Sequence, residues 1–101
     1  MSVVVVFTSR RSAEHDEEYG AMSERMVELV QGHPGFLRMT SVRDPRTRQG
    51  ITVAWFEDEA SVRAWKAQME HPEAQRRGVE RFYEEYEVTV ATVDREYGWS
   101  R

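Results

Sequence analysis

A run of β-branched residues near the N-terminus constrains the fold of this chain most strongly. Residues 3–10 are VVVVFTSR, so apolar side chains occupy consecutive positions rather than alternate ones. A strand of this kind is buried on both faces, and we therefore predict that Val3–Arg10 lies inside a sheet rather than at its edge. No basic segment precedes the run, which favours a strand over a signal peptide.

A helix and a second strand are predicted next. Apolar residues recur at intervals of three and four, which indicates a helix that begins between Ser12 and Asp16 and ends at Gly32. These residues are Tyr19, Met22, Met26, Leu29 and Val30. A proline follows Gly32 closely, which is typical of a helix end with a C-cap glycine. The second strand is predicted over Phe36–Asp44, with Phe36 on the same face as Thr40 and Val42.

The polar segment Asp44–Gly50 predicts a hairpin that leads into a third strand, Ile51–Phe56. This strand is also apolar on both faces, with Ile51, Val53 and Trp55 on one of them.

The remaining elements are a second helix and a long last strand. Asp58 is the predicted N-cap of the helix, which runs to Glu70 and carries Val62, Trp65 and Met69 on one face. Pro72 disfavours helical geometry at His71 and predicts a break there. A short helix over Glu73–Arg81 and a strand over Phe82–Tyr97 complete the chain.

The predicted order is βαββαβ, which indicates an α+β fold with a ferredoxin-like antiparallel sheet. The first and third strands are expected in the middle of that sheet, in agreement with their continuous apolar character. Two helices can cover one face of a four-stranded sheet, whereas all four strands carry apolar residues on both faces. The second face would be a large exposed apolar patch, so we predict a homodimer packed sheet to sheet.

Length, charge and cysteine content limit the classes of protein to which this chain can belong. A chain of 101 residues is expected to form one domain, residues 1–101, and no apolar run approaches the roughly 20 residues that cross a bilayer. The net charge of −4 argues against nucleic acid as a partner. The chain has no cysteine, which excludes disulfides and thiolate chemistry and fits a cytoplasmic protein.

Several segments, in order, resemble the antibiotic biosynthesis monooxygenase superfamily. The segments are Tyr19–Met26, Pro34–Leu37, Trp55–Ala60, Ala64–Lys66, His71, and Phe82–Tyr83 through Tyr97–Gly98. The resemblance covers nearly the whole chain and implies a dimeric α+β barrel with a site in each subunit, between the helices and the sheet. The fold hosts several activities, so the resemblance specifies the fold more sharply than the reaction.

The resemblance implies two chemistries. One group of relatives oxidises phenolic, polyketide-like substrates with oxygen and no cofactor. A second group degrades heme, with a histidine near the end of the second helix as the iron ligand and an asparagine on the first strand. This chain contains no asparagine, and Thr8 and Ser9 occupy the corresponding region. Cofactor-free oxidation is therefore the first hypothesis, and heme binding through His71 is the alternative.

Trp65 and His71 are the predicted catalytic residues. Trp65 has the spacing of a core residue, and the resemblance adds the role of a pocket wall that stacks a planar aromatic substrate. His71 is either a helix-end residue or a base that removes a proton from a phenol, because histidine titrates near neutral pH. His33, in the turn before Pro34, is expected to be solvated.

The predicted substrate-binding residues are Tyr19, Met22, Phe36, Trp65 and Tyr83, although each of them also fits a core position. The three histidines show no spacing that indicates a metal site, so no metal is predicted. The functional hypotheses are a cofactor-free monooxygenase acting on a small aromatic ligand, a heme-binding or heme-degrading protein, and a dimer that binds a small ligand without catalysis.

Overall fold

A computed structural model describes residues 1–70 and 81–101, without the side chains of residues 69 and 70. The elements in chain order are β1 (Val3–Arg11), α1 (Asp16–Gln31), β2 (Phe36–Arg43), β3 (Gln49–Phe56), α2 (Glu59–Glu70) and β4 (Tyr83–Thr92). The predicted βαββαβ order is confirmed. The predicted break at His71 and most of the predicted helix Glu73–Arg81 lie outside the described residues.

The four strands form one antiparallel sheet in the order β2-β3-β1-β4. The two strands with continuous apolar runs, β1 and β3, occupy the centre, as the sequence predicts. In β1, Val3 pairs with Phe56 on one side and with Thr92 on the other. A central strand has both edges hydrogen-bonded, which is the environment that β-branched residues favour.

The helices pack on one face of the sheet, which we call the inner face; the other is the open face. The core between helices and inner face contains Val3, Val30, Phe56 and Val62, and Phe56 is fully buried. Burying a side chain of this size contributes about 1.5–3 kcal/mol. Trp65 packs against this core, so its predicted core role is confirmed.

Strand β2 contains a register shift that corrects the predicted facing of its side chains. Phe36 pairs with Phe56, whereas Met39 pairs with Ala54, with the shift between Phe36 and Arg38. Phe36 and Met39 consequently share the inner face, and both pack against the core. The prediction that Phe36 faces the same way as Val42 is wrong, because strict alternation does not hold across a bulge.

Strand β4 ends at Thr92, five residues earlier than predicted from the sequence, which placed the end at Tyr97. The reason lies in its neighbour, because Thr92 pairs with Val3 and the Val93 N–H donates to the carbonyl oxygen of Ser2. No further backbone of β1 remains to pair with, so residues 93–101 continue without regular structure.

The turn between α1 and β2 depends on Gly35 rather than on Gly32. Helix α1 ends before Gly32 as predicted, but Gly32 has a right-handed conformation (φ −91°), whereas Gly35 has φ 90°. A Cβ atom on Gly35 would lie 2.0 Å from the Ser61 Oγ atom of α2. A glycine is required here both for the backbone conformation and for the close approach of the turn to α2.

The N-termini of the two helices differ in their capping. The Asp58 carboxylate accepts hydrogen bonds from the Ser61 N–H (2.8 Å) and hydroxyl group (2.7 Å), which confirms Asp58 as the N-cap of α2 and lowers the pKa of its carboxyl group. Helix α1 follows His15, which has φ 65° and no side-chain cap. The acidic first turn of α1 nevertheless suits the helix dipole.

We expect Gly35→Ala to destabilise the protein by about 2–4 kcal/mol, because alanine is strained at positive φ and its Cβ atom would overlap Ser61. Gly20→Ala is the matched control: Gly20 lies within α1 with no atom near its Cβ position, so this change should stabilise by about 0.5–1 kcal/mol. Urea unfolding followed by circular dichroism measures both values. Equal effects of the two substitutions would contradict the proposed role of Gly35.

Candidate functional site

The predicted site residues fall at two ends of the inner face. Phe36 and Trp65 pack beside Phe56, at the end where β1 begins. Tyr19 and Tyr83 contact each other at the opposite end, with ring centroids 5.9 Å apart. Since Val3 pairs with Phe56 and Arg11 with Tyr83, the two ends are separated by eight residues of β1, or roughly 26 Å.

The first end, which we call the Trp65 cluster, contains His33, Phe36, Phe56 and Trp65. Trp65 is half-buried, and its ring centroid lies 5.4 Å from that of His33. The His33 Nε2 atom lies 3.1 Å from the carbonyl oxygen of Ser61, to which it donates in the tautomer that this contact requires. His33 is thus half-buried between the α1–β2 turn and α2, and the expectation that it is solvated is wrong.

The second end, which we call the Tyr19 cluster, contains Ser9, Arg11, Tyr19, Arg43 and Tyr83. Two guanidinium groups meet the Tyr19 side chain. The Arg43 Nη2 atom donates a 2.8 Å hydrogen bond to the Tyr19 hydroxyl oxygen. The Arg11 Cζ atom lies 3.8 Å from the centre of the Tyr19 ring, which is a close cation–π contact. Tyr19 is thereby fixed both at its ring and at its hydroxyl group.

Arg43 reaches Tyr19 by crossing over Gly50 of the neighbouring strand. A Cβ atom on Gly50 would lie 2.7 Å from the Arg43 Nη2 atom and 2.8 Å from its Cζ atom. Gly50 is itself buried, and it pairs with Arg43 on one side and with Ser9 on the other. The missing side chain at Gly50 leaves the space in which the guanidinium group lies.

A charged network attaches the β2–β3 hairpin to the start of α1. The Asp16 carboxylate accepts hydrogen bonds from Arg48 and from the Arg11 Nη1 atom, the latter at 2.8 Å. These two bonds lower the pKa of the Asp16 carboxyl group, with Arg48 as the larger cause. The Arg48 Nε atom also donates to the carbonyl oxygen of Ser12 at 2.8 Å. The network holds the backbone around the Tyr19 cluster in place.

Tyr83 is in an apolar, aromatic environment. Its ring centroid lies 5.5 Å from that of Phe7, and the Phe7 ring in turn stacks on Tyr86 at 5.5 Å. Burial raises the pKa of the Tyr83 phenol, and the hydrogen bond with Tyr19 raises it further. The Tyr83 hydroxyl group is thus held in a hydrogen bond with Tyr19.

Two polar atoms of the Tyr19 cluster are buried without a hydrogen-bond partner in the described part of the chain. They are the Ser9 Oγ and Arg11 Nε atoms. Ser9 is 7% exposed and Arg11 is 6% exposed. In native proteins most buried polar groups are hydrogen-bonded. Two such groups without a partner at the same end of the sheet therefore indicate a candidate ligand-binding site.

A cavity of about 750 Å³ lies at the same end of the sheet. Its lining includes the row Thr8, Val42, Ile51 and Glu87, whose side chains point away from the helices by strand alternation. The lining also includes Ser9, Arg43, Gly50 and Tyr86, which are inner-face positions by the same alternation, so the cavity is not confined to the open face.

Among the predicted residues, Tyr19 contacts Tyr83, and Phe36 and Trp65 pack against the same core cluster. Met22 is half-buried on α1. His71 lies outside the described residues, so its role stays a prediction.

Sequence reasoning missed Ser9, Arg11 and Arg43. A signal for them exists in the alternation of β1, since Ser9 and Arg11 continue the inner-face positions Val3, Val5 and Phe7. Charged and polar residues that extend an apolar face indicate a buried polar site.

The profile of the family described as antibiotic biosynthesis monooxygenase matches residues 2–77 of this chain. The chain belongs to this family. The resemblance found in the sequence is thereby confirmed. One relative is the uncharacterized protein YqjZ of Bacillus subtilis (strain 168), 42% identical over 92 residues that cover 91% of this chain and 79% of YqjZ.

Solved structures show the same family fold. SnoaB from Streptomyces nogalater, described as a cofactor-independent oxygenase, matches with a TM-score of 0.76 and 18% identity, over 94% of this chain and 95% of SnoaB. Rv0793 from Mycobacterium tuberculosis matches with a TM-score of 0.79 and 12% identity, over 97% of this chain and 100% of Rv0793. At these identities the likeness establishes the ferredoxin-like α+β fold.

Residues 1–70 and 81–101 contain neither a candidate metal site nor a membrane-spanning helix. No group of three or more His, Asp or Glu side chains in that part of the chain is arranged to hold a metal ion. Neither helix described there is long and apolar enough to cross a membrane.

The raised pKa of Tyr83 predicts how stability changes at alkaline pH. A phenol whose pKa is higher in the folded state than its ordinary value of 10.0 favours folding below that value and ceases to do so as pH rises above it. We expect the free energy of unfolding of Tyr83→Phe to fall less steeply above pH 10 than that of the wild type. Tyr97→Phe, which removes a phenol that is 93% exposed, is the matched control. Parallel slopes for Tyr83→Phe and the wild type in urea unfolding would contradict the burial argument.

Proposed function

We propose that this protein is a homodimeric monooxygenase that oxidises a planar aromatic, phenolic or polyketide-like substrate with molecular oxygen and no cofactor. The observation that carries the proposal is the aromatic lining of the inner face. At one end of that face, four rings follow one another with centroids 5.5–6.0 Å apart: Phe7, Tyr19, Tyr83 and Tyr86. Membership of the monooxygenase family supports the proposal, as does the description of SnoaB as a cofactor-independent oxygenase.

The chemistry requires little from the protein beyond orientation and proton removal. Anthrone illustrates the balance: its CH2 carbon becomes a carbonyl carbon, one atom of O2 is inserted, and the other leaves as water with the two hydrogens. The substrate loses four electrons and O2 gains four. The step begins when a proton leaves the phenolic form of the substrate, because the resulting anion is electron-rich enough to react with oxygen.

Trp65 and His71 keep their predicted roles within this proposal. Trp65 stacks the substrate, which its half-buried position against the core supports because part of the indole remains accessible. His71 removes the proton as a general base. Phe36 lies beside Trp65, whereas Tyr19 and Tyr83 lie roughly 26 Å away along β1, so one planar ligand contacts either Trp65 with Phe36 or the two tyrosines. The aromatic lining described above favours the tyrosine end.

Heme binding is the alternative that the sequence leaves open, and the described residues fit it poorly. His33 is the histidine beside Trp65, and its Nε2 atom is hydrogen-bonded to the carbonyl oxygen of Ser61. The iron-ligand role that the resemblance implies is that of His71. Titration with hemin tests this alternative, since a sharp absorption band that is lost in His71→Ala would establish the ligand.

The open face supports a dimer packed sheet to sheet. Its central positions are apolar or small on all four strands: Val4, Val6, Thr40, Val42, Ile51, Val53, Trp55, Thr89 and Ala91. Val42 is 63% exposed and Ile51 is 47% exposed in the single chain. A contiguous apolar face of this kind marks an interface in a soluble protein.

The cysteine-free sequence fits a cytoplasmic location.

Oxygen uptake with anthrone and with hydroquinone-like compounds tests the activity. We expect turnover above buffer, with a loss of about 10²–10⁴-fold in His71→Ala because a general base is removed. His15→Asn is the matched control, since asparagine tolerates the φ of 65° at that position. A broad panel without turnover above buffer would refute the proposed activity, and binding without turnover would favour a non-catalytic ligand-binding dimer.

Ile51→Glu tests the dimer. A charge at this open-face position is solvated in a monomer but buried without a partner in the dimer, which costs about 3–5 kcal/mol. We therefore expect the dimer to dissociate at micromolar concentration in sedimentation velocity. Ala21→Glu places the same charge on an exposed position of α1 and should leave the dimer intact. A monomeric wild type at the same concentration would contradict the proposal.

A further inference from the structure

Arg43 is a partly buried cation whose partners are neutral. Its Nη2 atom donates to the Tyr19 hydroxyl oxygen at 2.8 Å, and its Nη1 atom donates to the carbonyl oxygen of Arg48 at 3.1 Å. Across residues 1–70 and 81–101, no carboxylate lies within salt-bridge distance of the Arg43 guanidinium group. Arg11 and Arg48, by contrast, share the Asp16 carboxylate.

Holding the Arg43 guanidinium group without a counter-charge lowers the stability of the ligand-free protein. A guanidinium group removed from water loses hydration, and a counter-charge is the usual compensation in folded proteins. Arginine has five N–H donors, and the two contacts described account for two of them. Arg43 therefore has donors available for a further acceptor.

The position of Arg43 is fixed before any ligand arrives. The guanidinium group lies in the space left by the missing side chain of Gly50, and Tyr19 and Arg48 hold its two terminal nitrogens. A donor that is already held in place binds an anion without the entropy loss of ordering a flexible side chain. This geometry differs from that of a solvated surface arginine such as Arg46, which is exposed in the hairpin.

Unpaired polar atoms lie on the same end of the inner face. The Ser9 Oγ and Arg11 Nε atoms have no partner in the described part of the chain, and both residues are more than nine-tenths buried. Ser9 pairs across the sheet with Gly50, the residue over which Arg43 lies. The Ser9 hydroxyl group and the Arg11 Nε–H group, which have no acceptor among the described residues, thus lie at the same end of the inner face as Arg43.

We propose that Arg43, assisted by the Ser9 hydroxyl group, binds the ionised oxygen of an aromatic ligand at this end of the inner face. The protein thus selects aromatic compounds that carry an oxyanion, such as a phenolate or an enolate conjugated with the ring. This inference rests on the proposed function, because it names the charge state of the substrate that the same site takes.

The neighbouring aromatic residues supply a surface for the ring of such a ligand. Tyr86 stacks on Phe7 and is 51% exposed, so one side of this pair remains accessible. Tyr83, whose ring contacts those of Phe7 and Tyr86, extends this aromatic surface. Aromatic stacking and an oxyanion contact together orient a planar ligand in a fixed direction.

Binding by Arg43 also changes the reactivity of the substrate in the proposed oxidation. A cation that binds a phenolate better than the phenol lowers the pKa of the bound substrate, so more of the substrate is present in the form that reacts with oxygen. Arg43 is in this sense a positioning and charge-stabilising residue, separate from the base that accepts the proton.

The experiment compares two probes that are already quinones and cannot undergo the proposed oxidation. 2-Hydroxy-1,4-naphthoquinone is ionised at neutral pH, whereas 2-methoxy-1,4-naphthoquinone is neutral and of similar shape. Calorimetric titration gives the affinity of each for the wild type and its variants. A charge-assisted hydrogen bond predicts about a ten- to hundredfold preference of the wild type for the ionised probe.

Arg43→Gln should abolish this preference while leaving the affinity for the methoxy compound nearly unchanged. Gly50→Ala is the second variant: it keeps the charge, but its Cβ atom would displace the guanidinium group, so the preference should fall here as well. Arg46→Gln is the matched control, because it removes the same charge from an exposed position in the same hairpin. Circular dichroism checks that each variant is folded.

Equal affinities of the wild type for the two probes, or binding of neither, would overturn the inference. An equal loss of preference in Arg46→Gln and Arg43→Gln would also overturn it, because the effect would then be one of overall charge. Should Arg43→Gln fail to fold, the wild-type preference together with Gly50→Ala decides the matter. Failure of the anthrone assay with the preference intact would refute the proposed oxidation and leave oxyanion binding standing.

Discussion

The pairing of β1 with a strand on each side is the interaction on which the rest of the structure depends. Residues 3–10 pair with β3 on one edge, and residues 3–11 pair with β4 on the other. This double ladder fixes which residues share the inner face, and it thereby places Val3 in the core and Arg11 beside Tyr19. It also fixes the length of β4, which ends where β1 provides no further partner. A single run of β-branched residues thus determines the core, the polar end of the inner face and the apolar open face.

The two ends of the inner face differ in their chemistry. The end near Val3 and Trp65 is apolar and supplies the packing that stabilises the fold. The opposite end contains arginine side chains, tyrosine hydroxyl groups and two buried polar atoms that have no partner among residues 1–70 and 81–101. Buried polar groups without a partner lower stability.

Periodicity in the sequence was sufficient to predict the order of elements, the central position of β1 and β3, the N-cap at Asp58 and the packing of Trp65. These features depend on local spacing, which is visible in a sequence. The bulge after Phe36 was not predictable, because an extra residue in a strand leaves no local mark in an apolar run. The contacts of His33 with Ser61 and of Arg43 with Tyr19 join residues 28 and 24 positions apart, so they follow from the three-dimensional arrangement alone.

The close approach of the Arg43 guanidinium group to Gly50 has an evolutionary consequence. A side chain at position 50 and an arginine that crosses it cannot occupy the same space, so the two positions are coupled by sterics rather than by charge. Relatives that keep both residues should share the oxyanion-binding geometry, whereas relatives with a bulky residue opposite the arginine must have rebuilt this end of the sheet. The pair is therefore a two-position signature by which members of a functionally mixed family can be sorted according to the charge of the ligands they accept.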